Sequence, residues 1–173
     1  NNNLTPKISL MLSPNKTKNI SNNKKRIENK NIFSLNRIAN DETVEGGASV
    51  TYGINYSKSN KKTKQDFLNF DISSMVRMDE NLDLPKTSTL GKKSSDVFGN
   101  LELFLNKKFN VKYNFALDNN FNKSNYDSIS TTFSINKIVT SFEYFDEKKN
   151  LDNESFTSNS TIFNINENNS FNF

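Results

Sequence analysis

The chain has 173 residues, of which 33% are hydrophobic and 24% charged. That apolar share is low for a soluble domain with a conventional core. It leaves two classes: a largely disordered polar chain, or a fold whose strands have lipid along one face. Cys and His are both absent, which removes disulfides, thiolate nucleophiles, Cys metal sites and any triad built on imidazole.

Phe occurs 15 times and Tyr 5 times. Disordered chains are poor in aromatics, so this argues for the folded class. The net charge is +4. Its Lys residues are scattered rather than clustered, so they read as a solvated basic surface and no nucleic-acid partner is expected. No apolar run approaches the roughly 20 residues of a membrane-crossing helix. The chain opens on Asn and shows no signal peptide, and we read it as a fragment of a longer secreted protein.

The organising signal along the chain is alternation with a period of two, the signature of a strand with one apolar and one polar face. Val50, Tyr52, Ile54 and Tyr56 alternate with Ser49, Thr51, Gly53 and Asn55. Leu68, Phe70 and Ile72 alternate with Asn69, Asp71 and Ser73. Val97, Gly99, Leu101, Leu103 and Leu105 oppose Asn100, Glu102 and Asn106. Val111, Tyr113, Phe115 and Leu117 oppose Asn110, Lys112, Asn114 and Asp118. Ile129, Thr131, Phe133 and Ile135 oppose Ser128, Ser130, Thr132 and Ser134. Ile138, Thr140, Phe142 and Tyr144 follow after one skipped position. Residues 156–165 alternate poorly. Phe67, Phe98, Phe104 and Phe145 fall on the polar parity, where they would fill an interior, mark bulges or sit at interfaces. Gly53 and Gly99 would mark bulges or bends.

The segments have the length of tilted membrane-crossing strands, roughly 9–11 residues. The connections alternate too. Residues 14–47 and 78–95 are long, and 119–125 and 147–155 are intermediate. Between them come short turns at Asn60 to Thr63, Asn106 to Phe109, Asn136–Lys137 and Glu167 to Asn169. A meander that crosses a membrane must alternate sides, and outer-membrane barrels have short turns on one side and longer loops on the other. The expected fold is therefore all-β: an antiparallel up-and-down meander of about 8 strands, an incomplete piece of a large transmembrane β-barrel. The long loops would be extracellular and the turns periplasmic. Asn100, Glu102, Asn110, Lys112, Asn114, Ser130 and Ser134 would face the lumen.

Two loop blocks carry a more specific signal. Asn31-Ile32-Phe33-Ser34-Leu35-Asn36-Arg37 leads into Asp41-Glu42-Thr43-Val44-Glu45-Gly46-Gly47, followed by a strand with Thr51-Tyr52-Gly53. Leu84-Pro85 is followed by Ser88-Thr89-Leu90-Gly91-Lys92-Lys93-Ser94-Ser95-Asp96-Val97-Phe98-Gly99. In order and spacing both blocks resemble the barrel domain of the LPS-assembly family LptD, and the resemblance extends over nearly the whole chain. The opening Leu4-Thr5-Pro6-Lys7 is similar to the strand that precedes the first block in that family.

The resemblance implies part of an outer-membrane translocon that moves lipopolysaccharide to the outer leaflet. Its partners would be lipopolysaccharide, the lipoprotein LptE in the lumen, outer-membrane lipid, and a periplasmic Lpt bridge reached through an N-terminal jelly-roll that this chain lacks. A basic surface could attract lipopolysaccharide phosphates. Gly46-Gly47 would permit positive φ and close approach at a loop-to-strand junction. Arg37, Asp41, Glu45 and Asp96 could form ion pairs that fold the loops over the lumen. Asn36, Gly91 and Gly99 complete the set of motif positions.

No catalytic, metal or cofactor motif stands out, and the chain is expected not to be an enzyme. The carboxylate pairs Asp41/Glu42 and Asp79/Glu80 lie in polar loops with nothing to split their pKa values. Two other classes share the alternation without the loop blocks: another outer-membrane barrel (a porin or nutrient receptor), and a soluble Asn-rich β adhesin.

Overall fold

In the computed structural model the alternating segments pair into one sheet. Residues 1–24, 26–37, 43–61, 65–106, 108–148, 153–165 and 169–173 are described. Asp41, the tip of the turn at Asn60 to Thr63, and the centres of the connections near 107, 150 and 167 lie outside them. The strands are β1 (Asn2–Ser13), β2 (Gly47–Ser59), β3 (Asp66–Arg77), β4 (Val97–Asn106), β5 (Phe109–Leu117), β6 (Ser124–Ile135), β7 (Ile138–Glu147), β8 (Glu154–Asn164) and β9 (Ser170–Asn172). They lie side by side in chain order, each antiparallel to the next. Residues 154–164 form a full strand despite their weak alternation. Among the described residues the only helical element is a 3-10 turn at Thr89–Gly91, capped by the Ser88 hydroxyl.

The pairing keeps apolar opposite apolar across the sheet. Ile54 faces Ile72, Phe70 faces Leu101, Leu101 faces Tyr113, Tyr113 faces Ile129 and Ile129 faces Tyr144. A slip of one residue would turn a whole strand over, so this phasing is what specifies the register. β1 joins it: Leu4, Ile8, Leu10 and Leu12 share the apolar face and are strongly exposed, Leu12 at 83%. β8 departs from it, because Thr157, Asn159 and Thr161 occupy the apolar parity.

The turn at Asn136–Lys137 is the two-residue hairpin expected, with Asn136 at φ 51°. Asn is among the few residues that tolerate that conformation in such turns.

The buried core is not spread through the sheet. It lies at the loop end, where Ile27, Ile32, Leu84 and Leu90 from the loops meet Met75, Phe98, Ala116, Tyr126 and Phe145 from the strands. Phe98 and Phe145 thus sit on the polar parity because the loops cover them there. Phe67 is the extra residue where the β2–β3 register shifts, between the pairs Lys58–Leu68 and Ser59–Asp66. Phe104 borders the shift in β4–β5. Gly53 and Gly99 coincide with no register shift, contrary to expectation. Gly99 instead makes room for the ring of Phe115 across the strand pair, which would collide with any Cβ, and Gly53 lies against the Ile72 carbonyl and Phe33.

Candidate functional site

One face of the sheet carries the loops. The 14–46 loop lies across it from β2–β3 to β6–β7. Over β2–β3, Phe33 approaches Gly53 and the Asn29 side chain accepts a hydrogen bond from Ser73. Over β6–β7, the Arg26 guanidinium stacks on Tyr126 and Phe145, 4.2 and 4.9 Å from the ring centres. The 78–96 loop supports it through backbone hydrogen bonds from Ile20 to Asp83 and from Lys86 to Ser21, both near 3 Å. Thr17 ties the two together, accepting from the Asn81 side chain at 2.7 Å and from the Gly46 amide at 2.8 Å.

The loop is held at β2–β3 by a buried ionic clasp. Arg37 donates to Glu45 through Nε at 3.0 Å and Nη2 at 2.8 Å, a bidentate pair. Its Nη1 donates to Thr51 at 3.0 Å and its Nη2 to Ser49 at 2.7 Å. Arg77 of β3 donates to the same Glu45 carboxylate and to the Gly46 carbonyl. All three side chains are 1–2% exposed. Burial draws the Arg37 guanidinium below its ordinary value, Glu45 opposes that, and Arg77 adds to the lowering. Arginine still stays protonated in proteins, so one carboxylate serves two buried cations.

The glycines follow from this packing. A Cβ on Gly46 would strike the Asn15 carbonyl oxygen, and Gly47 sits at φ 97°. Positive φ of this kind favours glycine, as expected of the pair. A Cβ on Gly91 would strike the Asn81 carbonyl oxygen.

A second clasp holds the far end of the loop. Arg26 Nη1 meets Glu147 of β7 at 2.8 Å, and Nε lies 3.5 Å from Glu28. Sequence reasoning missed Arg26 and Arg77. Arg77 stands alone among non-basic neighbours and Arg26 ends a Lys-Lys-Arg run that reads as solvated charge, so neither points to a buried contact in sequence.

Of the four charged residues expected to fold the loops, Arg37 and Glu45 pair. Asp96 is buried and accepts from the Asn125 side chain at 3.1 Å, while its amide donates to Thr89 at 2.7 Å. Asn36 is exposed on the loop surface. Asp41 lies outside the described residues.

Below the loops, the polar residues expected in the lumen all share this face. Asn100 donates to Asn114 at 2.7 Å, and Lys112 pairs with Glu102 at 2.8 Å. Ser130 stands opposite Lys112 in the register. Lys7 and Asn55 both reach Asp71, at 2.9 and 2.8 Å, extending the polar lattice toward β1. Nearer the turns, Asn110 and Ser134 line a cavity of about 670 Å³ with Asn69, Thr132, Phe67 and Phe104. Among the described residues no group of His, Cys, Asp and Glu could hold a metal ion.

An up-and-down antiparallel sheet with long strands, an exposed apolar face and a polar face bridged by its own loops is wall material of a β-barrel. The family model described as LptD, LPS transport system D, matches residues 1–172. The chain belongs to this family, whose function is lipopolysaccharide transport in the assembly of the outer membrane. No curated protein matches the chain.

Proposed function

We propose that this chain is part of the wall of an outer-membrane translocon that delivers lipopolysaccharide to the cell surface. The observation that carries the reading is the division of the sheet into a predominantly polar face, which carries the loops and their small core, and an exposed apolar face behind it. The apolar face of β1–β7 would lie in hydrocarbon, and the lattice from Asn100 to Ser134 would keep a lumen wet for the hydrophilic saccharide. The 14–46 and 78–96 loops would then cap the lumen on the extracellular side, with Arg37, Glu45 and Arg77 fixing them in place.

In this reading the partners are lipopolysaccharide, an LptE-type lipoprotein in the lumen, and a periplasmic Lpt bridge docking on a domain outside this chain. The role is transport, with no reaction catalysed.

Filling the polar face tests it. In the intact protein, Asn114→Trp with Ser130→Trp should slow the appearance of newly made lipopolysaccharide at the surface. The barrel should still show its heat-sensitive migration in gels. Thr131→Trp, on the apolar face, should leave delivery unchanged. Normal delivery in the double variant would overturn the assignment of the wet face.

A further inference from the structure

The apolar face is not uniform. At its loop end a groove of about 820 Å³ runs between β1 and β4, lined by Pro6, Ile8, Tyr52, Ile54 and Ile72 and closed by Phe121. Its size is within the roughly 300–1,000 Å³ of small-molecule sites. Phe121 comes from the β5–β6 connection and adopts φ 57°. A bulky aromatic residue seldom takes that conformation, and such strain persists only where surroundings enforce it. Here Asp118 enforces it. Its carbonyl accepts from the Phe121 amide at 2.9 Å, and its carboxylate accepts from the amides of Asn122 and Lys123. The result is a ring 64% exposed at the head of an apolar trough.

Where the groove ends, chemistry of the opposite kind begins. Ser94 and Asn119 line both the groove and an adjoining polar pocket of about 260 Å³ that contains Lys92 and Lys123. The Asn119 side chain donates to the Ser94 carbonyl at 3.2 Å, pinning the two loops at the junction. The pocket also holds two carboxylates, but Asp96 is buried against Asn125 and Asp118 is taken up by the amides of its own turn. Lys92 and Lys123 are exposed, and no carboxylate pairs with either among the described residues. An apolar trough headed by two ammonium groups at the level of the loops matches an amphiphile with a hydrocarbon tail and an anionic head.

We propose that this groove is a binding site, on the outside of the barrel wall, for one acyl chain of a phosphate-bearing outer-leaflet lipid whose phosphate is met by Lys92 and Lys123. The proposal rests on the membrane orientation given above, and it adds a site separate from the lumen. Phe121 holds the chain against the wall.

The test places a photoreactive phenylalanine analogue at Phe121 in the intact protein, and in a second sample at Phe142, on the same face away from the groove. Both are reconstituted in phosphatidylcholine nanodiscs containing lipopolysaccharide, native or dephosphorylated on its lipid anchor. The expected result is preferential capture of native lipopolysaccharide at 121. Lys92→Gln with Lys123→Gln should lower that capture roughly tenfold, each ammonium contributing severalfold near an anionic headgroup. Dephosphorylation should lower it similarly, and labelling at 142 should respond to neither. Equal labelling at 121 and 142, or indifference to charge and phosphate, would overturn the site and mean ordinary boundary lipid. Absence of lipid adducts at both positions would instead overturn the membrane orientation.

Discussion

Replacing Glu45 by Gln is the most informative single change. The amide keeps the shape of the carboxylate but leaves Arg37 and Arg77, both 1–2% exposed at the side chain, without their common counter-ion. Removing one partner of a buried pair costs about 3–5 kcal/mol, since the remaining charge stays desolvated. Here two cations are stranded together, so the upper part of that range applies. The molecule has a cheaper escape than unfolding. Arg37 rides on the 14–46 loop, and releasing the loop rehydrates Arg37 and uncovers Arg77 on β3. The β2–β3 ladder, paired over Ser49–Arg77 to Ser59–Asp66, need not open.

The cost should therefore appear as loop release. Hydrogen exchange of the intact protein should show loop amides such as Ile32 and Gly46 exchanging roughly 1,000- to 5,000-fold faster, the equivalent of about 4–5 kcal/mol. β5 and β6 should exchange as before. Replacing the triad together, Arg37→Met, Glu45→Leu and Arg77→Met, should restore much of the protection, because a buried ion cluster exchanged for packed apolar groups is often neutral or stabilising. A Glu45→Gln loop that exchanges less than about tenfold faster, or loosening spread equally over the sheet, would refute the clasp.

Other substitutions separate the remaining interactions. Gly99→Ala should destabilise the sheet by about 1–3 kcal/mol through overpacking against the Phe115 ring. Thermal unfolding should show most of that loss relieved when Phe115 is also reduced to Leu. Arg26→Ala removes the stacking on Tyr126 and Phe145 and the contact with Glu147, and should make the first half of the loop sensitive to protease while the Arg37 end stays protected. Val111→Arg on the apolar face should cost about 2–4 kcal/mol in bilayer refolding if it lies near mid-membrane. Asn114→Arg on the polar face should cost far less. Lys7→Ala should change stability by under about 1 kcal/mol, since the Lys7–Asp71 pair is partly exposed.

Most of the sheet was legible because its physical cause is local. A strand between two solvents writes its alternation into consecutive residues, and the Asn136–Lys137 turn writes its geometry into one Asn. The polar face was legible for the same reason, while its Lys112–Glu102 and Asn100–Asn114 pairs come only with the register of β4 against β5. What stayed hidden was non-local. Arg77 reads as the last residue of a strand, and only the return of the 14–46 loop brings it to Glu45, 32 positions away. Arg26 meets Glu147 across 121 positions, a pairing no local pattern encodes. Gly99 was misread because a glycine that admits a neighbouring ring looks, in sequence, like one that bends a strand. Phe98 and Phe145 broke the alternation because the loops bring a core of their own.

The division into a greasy face and a wet face can be measured directly along β5. Spin labels placed one at a time from Asn110 to Ala116 in the intact, membrane-embedded protein report exposure to oxygen, which concentrates in hydrocarbon, and to a water-soluble nickel complex. Labels at Val111, Tyr113 and Phe115 should respond to oxygen, and labels at Asn110, Lys112 and Asn114 to nickel, with a period of two residues. Uniform nickel access along the strand, or the inverse alternation, would contradict a membrane wall.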